Sequence, residues 1–475
     1  MSNSNILFAA IEAFKQTFND ICQNHDSSFD KLNEETFSLM TAALMKSSRN
    51  AGIAGLEQYL KENDTQQATI KMDDIVYRYK GTSVNELLTL FGIISVNRTM
   101  YYDETNGGKY HFPIDYALGI DKDDFATLET REMILFASAS CVPRELSQLL
   151  EKSSLCNPSR TAIQNIINRD GERMESMRNQ IAINVYSDCE VSGLTQAFVV
   201  SLDGVNVLLR EPGKKKGRKT VRPVSVVSDK SPTSYHNAMV GAVSFYGLDS
   251  ENKPDRISSI YTARMPEEKS TEFKKDFELM VSTIEKKLPQ GKYISIPKIL
   301  LTDGHLMIKG FAKVSKVLQP YEKLLDFYHA AEHLSKAADA MYGEKTNLSK
   351  VYYNKWRNRL KTDNSAPAAI LRSMKSFQIR QNLSGKRSDE LKAEITFFKN
   401  NKKLMRYHEF ITRGLPIGSG PIEAAAKTIV KQRLCRSGMS WKREKGQHVL
   451  SIRAFVQSDL WESVWEHYKK LRRAA

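Results

Sequence analysis

In the first seventy residues apolar side chains recur every three to four positions, as in NILFAAIEAFKQTF and EETFSLMTAALMKS, which predicts amphipathic helices. The pattern then changes. Residues 75–103, IVYRYKGTSVNELLTLFGIISVNRTMYYD, place β-branched and aromatic residues in short runs and predict strands, closed by a turn at ETNGGKYHFP. Between 128 and 188 helical spacing returns, punctuated as LETREMILFASAS, a break at CVP, RELSQLLEKS, a short SLCN turn and PSRTAIQNIINRDGERMESM. Asn157 and Pro158 read as the cap and first residue of the third helix. Two short helices around a tight turn fit a helix-turn-helix whose second member offers Ser159, Arg160, Thr161, Gln164 and Asn165 to DNA. An ordinary helical bundle fits the same pattern.

From 195 the chain reads as α/β. TQAFVVSLDGVNVLLR suggests two strands around an Asp-Gly turn, HNAMVGAVSFYG a third, and RISSIYTARM a fourth, followed by the helix EEKSTEFKKDFELMVSTIEKKL. The apolar strand IPKILLTDG then runs directly into the helix HLMIKGFAKV. Acidic strand ends are where open α/β sheets hold ligands. From about 330 to 412 the chain is charged and helical, with no strand signal.

Length and charge narrow the classes. At 475 residues the chain exceeds one ordinary core, and the usual size prior divides it into roughly three domains. No apolar run reaches membrane-spanning length and MSNSNILFAAIEAF lacks a basic leader, so a soluble cytoplasmic protein with no membrane partner is expected. Cys22, Cys141, Cys156, Cys189 and Cys435 are scattered without a CxxC pair, which argues against a disulfide framework or a thiolate zinc site. Charge is uneven: 6 Lys or Arg against 11 Asp or Glu in residues 1–75, a net of −5, but 16 against 6 in residues 401–475, a net of +10. A basic half points to a polyanion, most simply nucleic acid. The loop GKKKGRKT at 213–220, with Lys214, Lys215, Lys216, Arg218 and Lys219, is either a solvated turn or a phosphate contact.

Three carboxylates carry the candidate chemistry. Asp203 in SLDGV reads alone as a turn residue, Asp303 in LLTDGH as a helix cap, and Glu423 in GSGPIEAAAK as a first-turn acid facing the helix dipole. Together, two Asp at neighbouring strands and a Glu on a later helix can hold a pair of divalent cations for an in-line phosphoryl displacement. An all-carboxylate set suits Mg²⁺ or Mn²⁺. Asp326 and His329 in LLDFYHAAEHL add a supporting element. His333, one helical turn beyond His329, raises the thought of zinc, but no third ligand follows at suitable spacing.

These residues resemble a known family. SLDGV, LLTDGH, LLDFYHAAEHL, GLPIGSGPIEAAAKTIVKQRLCRSGMSW and GQHVLSIRAFVQSDLWESVWEHY, in this order over about residues 75–470, are similar to the Kra family of bacterial insertion-sequence transposases, DDE enzymes related to Mutator-type transposases. The resemblance implies an α/β ribonuclease-H-like core with an all-α insertion before the last catalytic acid, preceded by mostly α-helical N-terminal domains including a helix-turn-helix-like segment. Taken with the residue pattern, it divides the chain into an acidic helical N-terminal or oligomerisation region (1–74), a small strand-containing region (75–118), a helical DNA-binding domain (119–192), the first part of the core (193–328), the insertion (329–412) and the end of the core with basic helices (413–475).

It further implies Asp203, Asp303 and Glu423 as catalytic acids and ligands of two Mg²⁺ or Mn²⁺, with Asp326 and His329 behind them. The implied partners are double-stranded DNA, as terminal inverted repeats and target, and a second copy of the chain in a homodimer or larger assembly at the prokaryotic nucleoid. DNA contacts are expected from Arg160, Gln164, Asn165, the 213–220 loop, Lys427, Lys431, Arg433, Arg436, Trp441, Lys442 and Arg443, with Trp441 equally at home in a core. Many relatives carry a Cys-rich element where this chain has MYYDETNGGKYHFP, so no zinc is expected there. Two rival readings share the residues: a metal-dependent nuclease that cuts without joining, and a non-catalytic DNA-binding derivative.

Overall fold

The computed structural model describes residues 3–24, 32–72, 75–103, 108–121, 124–153, 156–210, 235–289 and 295–474; the basic loop at 213–220 lies outside them. Contacts divide the chain into two units, Met1–Arg173 with Arg472–Ala475, and Met174–Leu471. No helix among the described residues is long and apolar enough to cross a membrane.

In the first unit the early apolar spacing closes α1 (Asn3–Gln23) on α2 (Glu34–Asn63). Asn33 and Thr36 exchange bonds at the start of α2, the Asn33 side chain accepting the Thr36 N–H and the Thr36 hydroxyl accepting the Asn33 N–H. An antiparallel sheet follows, β1 (Thr69–Met72), β2 (Ile75–Thr89), β3 (Gly92–Tyr102) and β4 (Tyr110–His111), in that order. Part of the expected turn at 104–113 is therefore strand: Tyr110 and His111 pair with Tyr102 and Tyr101. Helices α3 (Pro113–Ala117), α4 (Leu128–Ser138), α5 (Pro143–Lys152) and α6 (Arg160–Ser176) complete the unit, with α6 continuing into the second.

The start of α6 differs from the expectation at Asn157. Ser159 caps it instead, its hydroxyl accepting the Ala162 N–H, because Pro158 lies outside the helix with its carbonyl taken by the Ser147 hydroxyl. Ile163, Ile166 and Ile167 are buried, while Ser159, Arg160, Thr161, Gln164 and Asn165 share the exposed face.

Between α4 and α6 lies a buried ionic network. Arg131, 1% exposed, donates from Nε to Asp170 Oδ2 at 2.9 Å and from Nη1 to Asp124 Oδ2 at 2.8 Å. Removing Arg131 takes both charged bonds from the buried Asp170 carboxylate, so Arg131→Ala is expected to lower stability by about 3–5 kcal/mol. Denaturant unfolding of wild type and variant checks this; a change under about 1 kcal/mol would show that the network contributes little.

The second unit is built on a five-stranded mixed sheet flanked by helices. After α7 (Arg178–Asp188) come β5 (Ala197–Leu208), β6 (Tyr235–Leu248) and β7 (Pro254–Arg264), then α8 (Thr271–Glu285), β8 (Lys298–Thr302), α9 (Leu306–Val314) and β9 (Glu322–Leu325). The spatial order is β7-β6-β5-β8-β9; β5, β6 and β7 are antiparallel, while β8 and β9 run parallel to β5.

The Asp-Gly hairpin expected at 203–204 is not formed. β5 runs straight through, with Asp203 opposite Val240 and Gly204 opposite Met239, because a continuous apolar partner strand is available on that side. Twelve unbroken pairs outweigh a local turn preference.

A helical segment follows β9: α10 (Phe327–Tyr342), α11 (Asn347–Thr362), α12 (Ala366–Arg380), α13 (Gly385–Asn401) and α14 (Tyr407–Thr412). Small residues on α10 (Ala330, Ala337, Ala338) let its neighbours approach, and Leu334, Trp356, Ile370, Met374, Leu391 and Phe398 fill the shared core. Each such large side chain contributes about 1.5–3 kcal/mol on burial. The chain ends with α15 (Gly420–Ala425), a π-helical stretch (Ala426–Lys431), α16 (Gln432–Leu434), α17 (Arg443–Gln457) and α18 (Trp461–Ala474).

Candidate functional site

Strand register sets out the acids. Ser201 lies opposite Leu301 and Thr302 opposite Leu325 in the parallel pairs, so Asp203, midway along β5, stands level with Asp303 and Asp326 just past the ends of β8 and β9. This is the carboxyl edge of β8 and β9, where ligands of open sheets lie. Glu423 arrives from α15, which packs against β5 and β6.

Each acid is held differently. Asp203 is half-buried, and its Oδ1 accepts the Gly204 N–H at 2.7 Å. Asp303 is not a helix cap; its Oδ1 accepts the His305 N–H at 2.7 Å, and His305 caps α9 by accepting the Met307 N–H. The turn between them needs Gly304, at φ +87°, where a Cβ would stand 2.9 Å from Leu325 Cδ1.

Asp326 is 1% exposed and acts as a strut. Oδ1 accepts the His329 N–H at 2.6 Å, capping α10, and Oδ2 accepts the Ser419 N–H. The Phe327 N–H adds a bond to the Ile417 carbonyl at 3.0 Å. Gly418 permits this joint, since a Cβ there would come within 2.7 Å of the Tyr328 ring. The GSG segment thus fixes the start of the helix that carries Glu423.

Electrostatics tie the acids into one group. Burial raises the Asp203 carboxyl above its ordinary value; the Gly204 N–H opposes this, Asp303 adds to it, and Lys431 and His329 pull it back. Glu423 stands at the surface, yet partial burial raises it too, followed by the charges of Asp326, Asp203 and Glu332, against a hydrogen bond with Ser419. Crowded carboxylates of this kind favour a proton or a cation. Among the described residues, no three His, Cys, Asp or Glu side chains stand together at metal-holding distance. By donor chemistry the residues fit a hard divalent cation, which would relieve the repulsion they share.

An acid raised in the folded state contributes stability below the unfolded carboxylate range, near pH 4, and loses it as pH rises through the raised value. In EDTA near neutral pH, Asp203→Asn is therefore expected to raise the unfolding midpoint. Mg²⁺ or Mn²⁺ at a hundredfold excess over Kd should stabilise wild type by about 2.7 kcal/mol, with the gain shrinking toward pH 4. Thermal unfolding with and without cation measures both; no cation-dependent shift would count against the site.

Several expected contacts lie elsewhere. Arg433 is 1% exposed with its guanidinium 5.4 Å from the Trp441 ring centroid, turned inward rather than to the surface because its helix packs that face against the core. Trp441 donates from Nε1 to the Leu434 carbonyl at 2.9 Å and bridges to Leu209, a packing role. Lys427, Lys431, Arg436, Lys442 and Arg443 are exposed. His333 Nδ1 meets Glu394 Oε2 at 2.6 Å and its ring stacks on Phe397, which ties it to the insertion core.

Two neighbours escaped the sequence reading. Lys309 on α9 bonds the Asn401 side chain; burial lowers its pKa while Asp303 opposes this, and only its place six residues after Asp303 hinted at it. Glu332 lies one turn past Tyr328 on the exposed face of α10, where an acid reads as an ordinary solvated residue. The π-helical stretch just after Glu423 is a further mark, since such turns cluster at functional sites; Arg453 Nε donates to its Thr428 carbonyl at 2.7 Å.

No protein-family model matches the chain, and none of the curated proteins does. Among solved structures it is similar to the Drosophila P element transposase strand transfer complex, at 10% identity and a TM-score of 0.26 over 72% of this chain and 80% of that one. A likeness this loose decides neither fold nor activity.

Proposed function

We propose that the protein is a DDE transposase of an insertion sequence, with a ribonuclease-H-like core. It binds the terminal inverted repeats of its element, cleaves DNA at the element end and joins the exposed 3′-hydroxyl to target DNA. The observation that carries the reading is the gathering of Asp203, Asp303, Asp326 and Glu423 beside the carboxyl edge of β8 and β9, within reach of one another's charge. Three antiparallel strands followed by two parallel to the first also suit such a core. The sequence resemblance supplies the order of the acids.

Asp203, Asp303 and Glu423 would hold Mg²⁺ or Mn²⁺. When bound, the cations supply positive charge to the attacking and leaving oxygens of the phosphoryl displacement. The chain's own groups do the rest. Asp326 positions the loop before Glu423 through the Ser419 N–H. Lys431, whose charge reaches Asp203, stands with Lys427 on the exposed side of the π-helical stretch, where both can meet backbone phosphates. The exposed face of α6, with Arg160, Gln164 and Asn165, suits base-edge contacts. Two ends must be held together, so a homodimer or larger assembly on DNA completes the reading.

The test is incubation of the protein with DNA carrying the flanks of its own gene, in Mg²⁺, Mn²⁺ or EDTA. Cation-dependent cleavage at defined ends that leaves a 3′-hydroxyl is expected. Duplex binding without cleavage in any cation would favour the non-catalytic rival.

A further inference from the structure

The helical segment between the sheet and Glu423 is strongly basic: residues 343–406 hold 16 Lys or Arg against 5 Asp or Glu, a net of +11. A surface this charged is often only a solvated face. Here the cations sort into two kinds. Some are neutralised locally, as in Arg359 with Asp363 at 2.8 Å, Lys392 with Asp389 at 3.2 Å and Lys386 with Glu390 at 3.7 Å.

Lys350, Arg357 and Lys361 on α11 form no such ion pair among the described residues. Spaced by seven and four, they form one stripe along the helix beside the buried Tyr352, Trp356 and Leu360, with Lys350 exposed and Arg357 and Lys361 half-buried. The stripe runs toward the site. Lys361 Nζ lies 4.8 Å and the Arg357 guanidinium 5.4 Å from the ring centroid of Phe327, the residue next to Asp326. Burial lowers the Lys361 pKa and the Arg357 charge lowers it further, the response of a cation that lacks an anion.

We propose that this stripe is a phosphate-binding track for duplex DNA beside the cleaved position, taking backbone oxygens at Lys350, Arg357 and Lys361. The inference rests on the transposase reading and gives that reading a further set of DNA contacts, on α11. The eleven helical steps from Lys350 to Lys361 rise about 16 Å, roughly five base pairs along one strand. Phosphate-only contacts hold and orient the duplex without reading its sequence.

The experiment is fluorescence anisotropy of the full chain on a duplex of about 30 base pairs bearing the gene flank, in EDTA, from 50 to 200 mM salt. Each lost phosphate contact shallows the slope of log K against log salt by about 0.9, so Arg357→Ala/Lys361→Ala should shallow it by about 1.8. Lys386→Ala/Lys392→Ala, on paired cations, should leave the slope unchanged. Arg357→Lys/Lys361→Arg should restore it, which packing against Phe327 alone would not require.

An unchanged slope in the alanine pair, with wild-type binding intact, overturns the track and leaves the transposase reading standing. The same result with weakened self-association assigns the stripe to a protein partner instead. Wild type that binds no duplex overturns both.

Discussion

Glu423→Gln is expected to lower cation-dependent DNA cleavage by about a thousandfold while duplex binding stays near wild type. A metal ligand contributes several kcal/mol of transition-state charge stabilisation, and about 4 kcal/mol corresponds to three decades in rate. Glutamine keeps the shape and the first-turn position after Pro421 but gives up the charge. A first-turn acid with no further duty would lose only about 0.3–1 kcal/mol of helix-dipole interaction, with cleavage unchanged. The two roles also part in EDTA. Removing one of the mutually repelling acids should raise the unfolding midpoint, whereas losing a dipole interaction alone should lower it. Cleavage rates, anisotropy and thermal unfolding on one preparation separate them.

Asp326→Ala is expected to be the most damaging single change at the site. Both its oxygens accept backbone N–H groups, from His329 and Ser419, and the residue is 1% exposed. Truncation leaves two donors without an acceptor, at about 1–3 kcal/mol each, and frees the loop that sets the start of α15. Asp326→Asn keeps one acceptor but turns an amide toward a backbone donor, so it should lose less stability and still impair cleavage. Denaturant unfolding with cleavage kinetics on the soluble variants tests the pair. A stable Asp326→Ala chain with normal cleavage would show that the joint between α10 and the GSG segment does not position Glu423.

How much of this could be read from the sequence depended on whether each signal was local. The apolar runs of β6 and β8 and the punctuation of α4 and α5 were legible because pattern and length suffice there. Asp203 misled because Asp-Gly is a turn signal only when no partner strand competes, and β6 lies far along the chain. Strand β9 was invisible: four residues, Glu322–Leu325, leave no periodicity before α10 begins. That omission hid why Asp326 belongs with Asp203 and Asp303, since their alignment is a property of sheet register. Arg433 read as a surface cation because charge counts ignore which helical face is buried.

In the proposed function these acids catalyse DNA joining as well as cutting. Its most direct test supplies a precut duplex ending in the 3′-hydroxyl of the element's own terminus, together with target DNA, and follows joined product in Mg²⁺ or Mn²⁺ against EDTA. Cation-dependent joining by wild type is expected, and about a thousandfold less by Glu423→Gln. Cutting without joining would make the protein a nuclease on the same core, and equal joining by both proteins would remove Glu423 from the site.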